Sequence, residues 1–359
     1  MTLTLTEGLK LKLPYGKIPI EILEKIVFKN LGAKREEVVL GPSIGFDGAV
    51  IDVGNKSLIV SMDPITGAKE RIGWLAVNIN ANDVATFGVE PAFFSSCIML
   101  PENIDEKTLE TICIQMDRAA KDLGIAIVGG HCEATPGLSH PIVVGCIMGI
   151  TEKGNYVTAG GAHAGDRLIL TKSAGIEGTA ILASDMEKEL RKAVDEKLLL
   201  NAKNFFDKIS VVRDALTAFK TGVVHAMHDP TEGGVAGGVH EIADASNLGF
   251  KIYEEKIPVA EETVAICRFF GIDPLYLIAS GGVLIAVKQG SEDVVLSNLA
   301  NNGITANVIG EFLSSSDKRL IKRKDGREEE LARPECDHLW LVLERKLSEE
   351  FAEGFSRSF

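Results

Sequence analysis

The chain has 359 residues, of which 45% are hydrophobic and 25% are charged, and its formal net charge is -13 at pH 7. This composition is typical of a soluble globular protein with room for two domains. The acidic balance argues against binding to nucleic acid or to an anionic membrane surface. We find no apolar run long enough to cross a bilayer and no signal-peptide layout, so we expect a cytoplasmic protein.

Near the N-terminus, residues 18–31 carry apolar side chains at helical spacing, which predicts an arm or short helix docked on the body. Two strands, 49–53 and 58–62, follow and are joined by a Gly-Asn turn that favours a hairpin. Asp47 and Asp63 flank this hairpin. Because its strands run antiparallel, we expect both carboxylates at the same end of it.

The next segment, 71–87, has a helical pattern in which Asn78, Asn82 and Asp83 stand among small apolar residues. Asn and Asp are unfavourable inside a helix, so they need a compensating interaction. One interpretation is a hydrated helix surface, and the other is a binding site.

A strand at 92–100, a helix at 105–123 and a short buried strand at 125–128 complete the first half, together with a strand at 141–150. The two long apolar strands cannot leave a face in water, which favours a dimer. Between 128 and 141 the pattern predicts a second glycine-rich loop, GGHCEATPG, which holds Gly129, Gly130 and His131. The element order predicts a compact α+β unit.

The second half begins after a glycine-rich boundary with the strand 167–171, which Lys172 follows. A helical segment is predicted over 187–218 and a strand over 222–227. Further strands at 250–253, 283–287 and 305–309 alternate with helices, a Lys-Asp-Gly-Arg turn closes a late hairpin, and an amphipathic helix is predicted over 338–354.

The stretch His228–Ala243, HDPTEGGVAGGVHEIA, combines a polar turn with two glycine pairs and then a helical pattern from Val239. A glycine turn that opens a helix presents free N–H groups and a positive dipole end, which suits a phosphate. Asp229 would repel that phosphate unless a cation lies between them. An ordinary turn with glycine pairs is the alternative.

Four aspartates therefore stand at element ends or glycine turns, namely Asp47, Asp63, Asp83 and Asp229. Carboxylate oxygens are ligands that Mg²⁺ prefers, although each residue could instead be a cap or turn residue. His225 and His228 could ligate a metal together, or each could be a turn histidine with one hydrogen bond. His131 is a candidate substrate contact.

Seven segments, GFDGAV, VSMDP, AVNINANDVATFGVEP, VGGHCEATPG, HAGDRLIL, MHDPTEGG and ASGGVL, occur here in an order that resembles the AIR synthase (PurM) superfamily. That group includes HypE, selenophosphate synthetase and thiamine-monophosphate kinase, and the chain is most similar to HypE-like members. The resemblance implies an α+β, two-domain PurM-like fold. It consists of an arm (1–40), an ATP-binding domain (41–155) that builds an intersubunit β-barrel in a homodimer, and a larger α+β domain (156–359).

The resemblance also implies ATP and Mg²⁺ as cofactors. It assigns metal binding to Asp47, Asp63 and Asp83, nucleotide binding to Asn80, Asn82, Gly129, Gly130, Gly233 and Gly234, and catalysis to Asp229, His131 and Lys172. The implied reaction is ATP-dependent phosphorylation of an amide-type oxygen on a small molecule or protein carboxamide, in hydrogenase maturation. A thiamine-monophosphate kinase-like activity and a non-catalytic dimeric scaffold are the alternatives.

The chain departs from the HypE pattern at both ends. HypE members modify their own C-terminal cysteine, whereas this sequence ends in GFSRSF and its last cysteine is Cys336. We therefore expect no self-modification of that type. At the other end, LPYGKIPIEIL stands where HypE members carry a histidine before a glycine-rich turn.

Overall fold

The computed structural model describes residues 13, 15–67 and 70–346. After a short helix, α1 (Ile20–Ile22), which continues as a π-helical turn over Leu23–Val27, the first half builds one sheet. Its strands are β1 (Val38–Leu40), β2 (Ala49–Val53), β3 (Lys56–Ile65), β4 (Pro91–Leu100), β5 (Ala126–Ala134) and β6 (Ile142–Glu152). They lie side by side in the order β1-β2-β3-β6-β4-β5.

The predicted hairpin is β2 and β3, which pair antiparallel with Val53 opposite Lys56. All neighbouring strands of the sheet are antiparallel except β4 and β5. A parallel pair needs a crossover connection, and the helix α3 (Glu106–Leu123) supplies it. The Asp105 carboxylate caps the start of α3 through Thr108 N at 2.9 Å.

The helix α2 (Ile72–Thr86) lies in the interior, packed on β3, β6 and α3. All of its residues are buried except Trp74. The hydrated-surface interpretation of Asn78, Asn82 and Asp83 is therefore wrong, because sheet and helices cover α2 on every side. Its polar side chains must be satisfied by the protein or by a ligand.

The glycine-rich segment GGHCEATPG is not a loop, as the pattern predicts, because most of it continues the strand β5. That strand is longer than the predicted 125–128 and is exposed along its whole length rather than buried. It forms the edge of the sheet and pairs on one side with β4. Glycine lowers strand propensity, and pairing with β4 overrides that local preference.

The second half builds a seven-stranded sheet with the order β13-β12-β9-β11-β7-β10-β8. Its strands are β7 (Arg167–Thr171), β8 (Val224–His228), β9 (Gly249–Tyr253), β10 (Leu284–Val287), β11 (Ala306–Leu313), β12 (Arg319–Lys322) and β13 (Glu328–Glu330). The predicted late hairpin is β12 and β13, which pair antiparallel. Each predicted strand of this half is present within a few residues of its expected bounds.

Seven α-helices accompany this sheet within the described residues. They are α4 (Ile176–Asp185), α5 (Glu187–Leu190), α6 (Glu196–Lys203), α7 (Val212–Phe219), α8 (Gly234–Ala245), α9 (Glu261–Phe270) and α10 (Glu292–Asn301). The helix predicted over 338–354 is present at 338–346, and the remainder of that prediction lies outside the described residues. The single helical segment predicted over 187–218 is wrong in detail. Asp195 caps a new helix there through Lys197 N, so the chain breaks and restarts.

The two halves meet along α2. Trp74 Nε1 donates to the Phe206 carbonyl at 3.2 Å, and Asn82 bonds the backbone of Ile209 and Val211 at 2.9 and 2.8 Å. These contacts fix α2 against the second half. The expected two-domain α+β class is confirmed, whereas the bounds 1–40, 41–155 and 156–359 stay a prediction. Among the described residues, every helix is too short or too polar to span a bilayer.

Candidate functional site

The hairpin β2–β3 brings Asp47 and Asp63 to one end, as its antiparallel pairing predicts. Ser61 lies on β3, two residues before Asp63, and its hydroxyl is 2.5 Å from the Asp47 carbonyl. The pKa of Asp63 is raised to about 6, mainly by burial; Lys17 opposes the rise, and the nearby carboxylate of Asp47 adds to it. Two carboxyl groups thus share a poorly hydrated space, where a cation would stabilise both as anions.

The interior helix α2 adds a third carboxylate, that of Asp83, and the amide of Asn80, which bonds the backbone of Asp63. Asp83 Oδ2 lies 2.7 Å from the Ser61 hydroxyl, and burial, followed by the charges of Asp63 and Asp229, raises its pKa well above the usual range. Asn80 Oδ1 accepts from Asp63 N at 2.9 Å, and its Nδ2 donates to the Asp63 carbonyl at 3.2 Å. Asn80 therefore holds the backbone of Asp63 in place.

His228, the last residue of β8, bridges two carboxylates. Its Nδ1 lies 2.5 Å from Asp47 Oδ2 and its Nε2 lies 2.7 Å from Glu241 Oε2 on α8. Burial lowers the pKa of this imidazole, but Asp47 and Glu241 outweigh burial and leave it well above the usual range. The interpretation of His228 as a turn histidine with one hydrogen bond is wrong, since both ring nitrogens are engaged.

Asp229 follows His228 and is fully buried. Neither of its carboxylate oxygens meets a hydrogen-bond donor within the part of the chain that the structure describes. Burial, and then the charge of Asp47, raises its pKa well above the usual range. Ligand atoms of Asp47, His228 and Asp229 all lie within 4.8 Å of one another. A buried carboxylate without a donor is costly, and a divalent cation held by oxygen ligands fits the two carboxylates of this set.

The glycine turn after Asp229 leads into α8, which begins at Gly234 and not at the predicted Val239. Gly233 and Gly234 adopt φ values of 83° and 61°, a left-handed conformation that glycine tolerates without strain. The Gly233 N–H donates to Asp337 Oδ2 at 2.6 Å. A carboxylate of the chain itself thus occupies the helix N-terminus at which we expected a phosphate. Burial raises the pKa of Asp337 to about 7.

The N-terminal arm brings a cation to the acidic residues. Lys17 N donates to Glu232 Oε2 at 2.7 Å, and Lys17 Nζ lies 3.3 Å from Glu241 Oε1. Nearby, Tyr15 stacks on Trp340 with ring centroids 6.3 Å apart. The arm and the segment 333–337 thereby border a cavity of about 660 Å³, whose lining includes Asp47 and His228. Its volume is within the roughly 300–1,000 Å³ of small-molecule sites.

Two predicted site residues use their side chains outside the acidic cluster, which consists of Asp47, Asp63, Asp83 and Asp229. The Lys172 ammonium lies 3.1 Å from Asp214 Oδ1 and donates to the Ser210 carbonyl at 2.8 Å. Asn82 uses its amide on the backbone of 209–211, as described above. Both side chains therefore have structural partners, and their roles toward substrate or nucleotide stay predictions.

Gly129, Gly130 and His131 lie on β5, whereas Asp63 lies on β3. Two strands separate β5 from β3, so the distance is roughly 14 Å at the usual strand spacing. The His131 imidazole contacts Glu133 at 3.1 Å and is 67% exposed. These three residues do not join the acidic cluster of their own chain.

Sequence reasoning missed four residues near this cluster, Lys17, Glu177, Glu241 and Asp337. Burial raises the pKa of Glu177 to about 7, and the charges of Asp337, Glu232 and Asp63 contribute. Lys17 and Asp337 come from distant parts of the chain and stand in no motif. Glu241 lies within the stretch His228–Ala243, at a position where a polar helix residue carries no special signal.

Two family models match the chain. The N-terminal domain of AIR synthase related proteins matches residues 45–151, and the C-terminal domain of the same proteins matches residues 163–323. Together the two matches cover well over half of the 359 residues. They include all four aspartates of the acidic cluster.

Curated relatives agree with this assignment. The chain is 30% identical over 303 residues to a protein of Methanocaldococcus jannaschii provisionally named for hydrogenase expression and formation, covering 82% of this chain and 88% of that protein. It is also 30% identical over 263 residues to carbamoyl dehydratase HypE of Escherichia coli K12, covering 72% and 75%.

Solved structures show the same fold. A HypE–HypF complex matches with a TM-score of 0.72 at 24% identity, over 87% of this chain and 99% of that one. HypE in complex with ATP matches with a TM-score of 0.69 at 23% identity, over 91% and 98%. The kinase AaThiL, complexed with AMPPCP and TMP, matches with a TM-score of 0.69 at 20% identity, over 90% and 99%. The chain belongs to the AIR synthase-related family and is similar to its HypE members.

Proposed function

We propose that this chain is an ATP- and Mg²⁺-dependent enzyme of the HypE type, which phosphorylates an amide-type oxygen in hydrogenase maturation. The observation that carries the proposal is the buried carboxylate of Asp229, which lacks a donor among the described residues and faces Asp47. Such a group is stabilised when a cation joins it to phosphate oxygens. The similarity to carbamoyl dehydratases supplies the reaction type.

In the proposed site, Asp47, Asp63, Asp83 and Asp229 would hold Mg²⁺, which when bound neutralises phosphate charge during phosphoryl transfer. Two supports keep these carboxylates in place. Asn80 fixes the backbone of Asp63, and His228 fixes the Asp47 side chain. The Lys17 ammonium lies at the edge of the cavity on a flexible aliphatic side chain. Such a group suits a contact to a nucleotide phosphate.

The proposed reaction is a dehydration driven by ATP. The bond from the γ-phosphorus to its bridging oxygen breaks, and the amide oxygen takes the phosphoryl group. Loss of that phosphate, together with the protons on nitrogen, then converts the carboxamide to a nitrile. A carboxyl group with a pKa near 7, such as Glu177, suits acceptance of such a proton.

We further propose a homodimer built on the first sheet. The face of that sheet opposite α2 carries half-buried or exposed apolar side chains, among them Phe93, Met148 and Ile150. The edge strand β5 is exposed as well. A second copy would cover both the open face and the edge strand. In such a dimer, Gly129, Gly130 and His131 of one copy could approach the nucleotide site of the other.

Calorimetric titration of Mg-ATP tests the nucleotide site. Asp229→Asn keeps the shape of the side chain but removes its charge, so we expect affinity to fall at least about tenfold. Without magnesium and at neutral pH, the variant should be as stable as the wild type or more stable, because it no longer buries a carboxyl group that ionises in the unfolded chain. Asp117→Asn, on the exposed face of α3, is the matched control and should bind normally. Failure of the wild type to bind at millimolar Mg-ATP would refute the proposal.

Phosphate release with a carbamoylated cysteine peptide separates the enzyme from a non-catalytic scaffold. We expect steady turnover and loss of the mass of one water from the peptide. Turnover with thiamine monophosphate instead would favour the kinase alternative, which has support from the fold alone. Nucleotide binding with no turnover on any carboxamide would favour the scaffold.

A further inference from the structure

Two imidazoles and a carboxylate converge on the second sheet, away from the acidic cluster. His163 Nδ1 lies 3.0 Å from His225 Nδ1, and His225 Nδ1 lies 2.8 Å from Asp166 Oδ2. The third distance, from His163 Nδ1 to Asp166 Oδ2, is 3.9 Å. The three ligand-type atoms therefore form a small triangle around one point.

The backbone holds these residues in place. His163 N donates to Asp166 Oδ2 at 2.7 Å, and Asp166 N donates to the His163 carbonyl at 3.0 Å, so the two residues form a tight turn before β7. His225 comes from β8, against which the preceding turn packs so closely that a Cβ on Gly161 would lie 2.1 Å from the His225 carbonyl. The backbone therefore brings the three side chains together.

This arrangement also explains why His225 and His228 do not act together. The two residues are three positions apart on β8, and side chains alternate between the faces of a strand. His228 therefore contacts Asp47 and Glu241 on one side, while His225 contacts His163 and Asp166 on the other. The interpretation in which the two histidines ligate one metal together is therefore wrong, because they belong to two separate sets of contacts.

Hydrogen bonds alone satisfy the three atoms of this triangle poorly. If His225 carries its proton on Nδ1, that single N–H faces both the Asp166 carboxylate and the lone pair of His163 Nδ1. One cation placed among the three atoms would instead accept a lone pair from each. A tetrahedral Zn²⁺ with bonds of about 2.0–2.1 Å has ligand atoms about 3.3 Å apart, and the three distances fall on either side of that value.

We propose that His163, Asp166 and His225 bind Zn²⁺ or another late first-row divalent ion. Two imidazole nitrogens with one carboxylate oxygen suit such ions better than Mg²⁺, which prefers oxygen ligands alone. The site is open to the ion, because the His163 side chain is 70% exposed while that of Asp166 is 5% exposed. Three protein ligands leave a fourth position for water, and the ion would clamp the 163–166 turn to β8.

The test uses full-length protein without an affinity tag. Titration with Co²⁺ should give the visible absorption of a tetrahedral site, and Zn²⁺ should displace it. His163→Ala should weaken Zn²⁺ binding at least about tenfold, since even residues that only orient a ligand cost that much. His140→Ala, at a half-buried histidine outside the triangle, is the control and should bind as the wild type does.

Two further measurements separate this site from the acidic cluster. Imidazole ¹⁵N resonances of His163 and His225 should shift on adding Zn²⁺ before those of His228 do. Zn²⁺ should raise the melting temperature of the wild type but not that of His163→Ala, whose exposed side chain can be removed without disturbing the core. Equal Zn²⁺ affinity in wild type and His163→Ala, or no binding at micromolar Zn²⁺, would overturn the proposal. Neither result depends on nucleotide binding.

Discussion

The buried carboxyl of Glu177, near the acidic cluster, illustrates how a buried acid can oppose folding. It lies in α4, and burial raises its pKa from 4.5 to about 7. Between these values the folded chain binds the proton more tightly than the unfolded chain does. Stability contributed by the protonated form is therefore complete below about pH 4.5 and is lost as the pH rises to about 7.

Glu177→Gln should remove this dependence. In the absence of metal and nucleotide, we expect the variant to gain up to about 3 kcal/mol over the wild type at pH 8, and little at pH 4.5. Urea denaturation at both pH values measures the difference. Glu110→Gln, on the exposed face of α3, should change stability by similar small amounts at both. A gain for Glu177→Gln that is equal at pH 4.5 and pH 8 would contradict the argument.

The helix α2 contributes two residues to the candidate site, Asn80 and Asp83. Its position depends on close packing with α3 at Gly73. A Cβ on Gly73 would lie 2.3 Å from the Ile112 carbonyl oxygen, and the Gly73 N–H donates to Gln115 Oε1 at 3.0 Å. Two helices can approach this closely only where one of them lacks a side chain.

Gly73→Ala should therefore destabilise the chain by about 1–3 kcal/mol through overpacking. Alanine would favour an isolated helix by about 1 kcal/mol, so the clash is expected to dominate. Chemical denaturation checks the sign. Gly41→Ala is the control, because its Cβ would meet Val38 Cγ1 at an ordinary 3.5 Å. A more stable Gly73→Ala protein would show that α2 and α3 can separate freely.

The sequence pattern within a segment predicts most helices and strands well. It predicts their burial and their contacts with distant segments poorly. The hairpin end that joins Asp47 to Asp63 follows from strand spacing and one turn. The exposure of β5 and the capping of α8 by Asp337 do not, because both depend on contacts between distant segments. For the same reason, no periodicity indicates that Lys17 reaches Glu241, more than two hundred positions away. Motif order predicted the four carboxylates, and only the tertiary structure shows which residues contact them.

At the scale of the whole molecule, the first sheet has one covered and one open face. Strands β4 and β6 turn alternate residues toward α2, and their remaining apolar side chains lie on the other face. A continuous apolar sheet surface of this kind is unusual for a monomer and typical of an interface. It supports the proposed homodimer independently of family resemblance.

Phe93→Lys should disrupt that homodimer. Phe93 is 37% exposed on the open face, and a charge there would be buried by a second copy. Sedimentation velocity should show a dimer for the wild type and a shift to monomer for the variant. Ile114→Lys is the control, since Ile114 is 59% exposed on α3 and should leave assembly unchanged. A monomeric wild type at micromolar concentration would refute the proposed dimer.

The stacking of Tyr15 on Trp340 brings two segments more than three hundred positions apart over one cavity. If the proposed nucleotide enters from this side, it would pass between the two segments. Its residence time would then depend on how fast the segments separate as well as on the carboxylate contacts. A protein that binds either segment could hasten or delay exchange without touching an aspartate, and the opposite ends of one polypeptide would thereby act as a common gate.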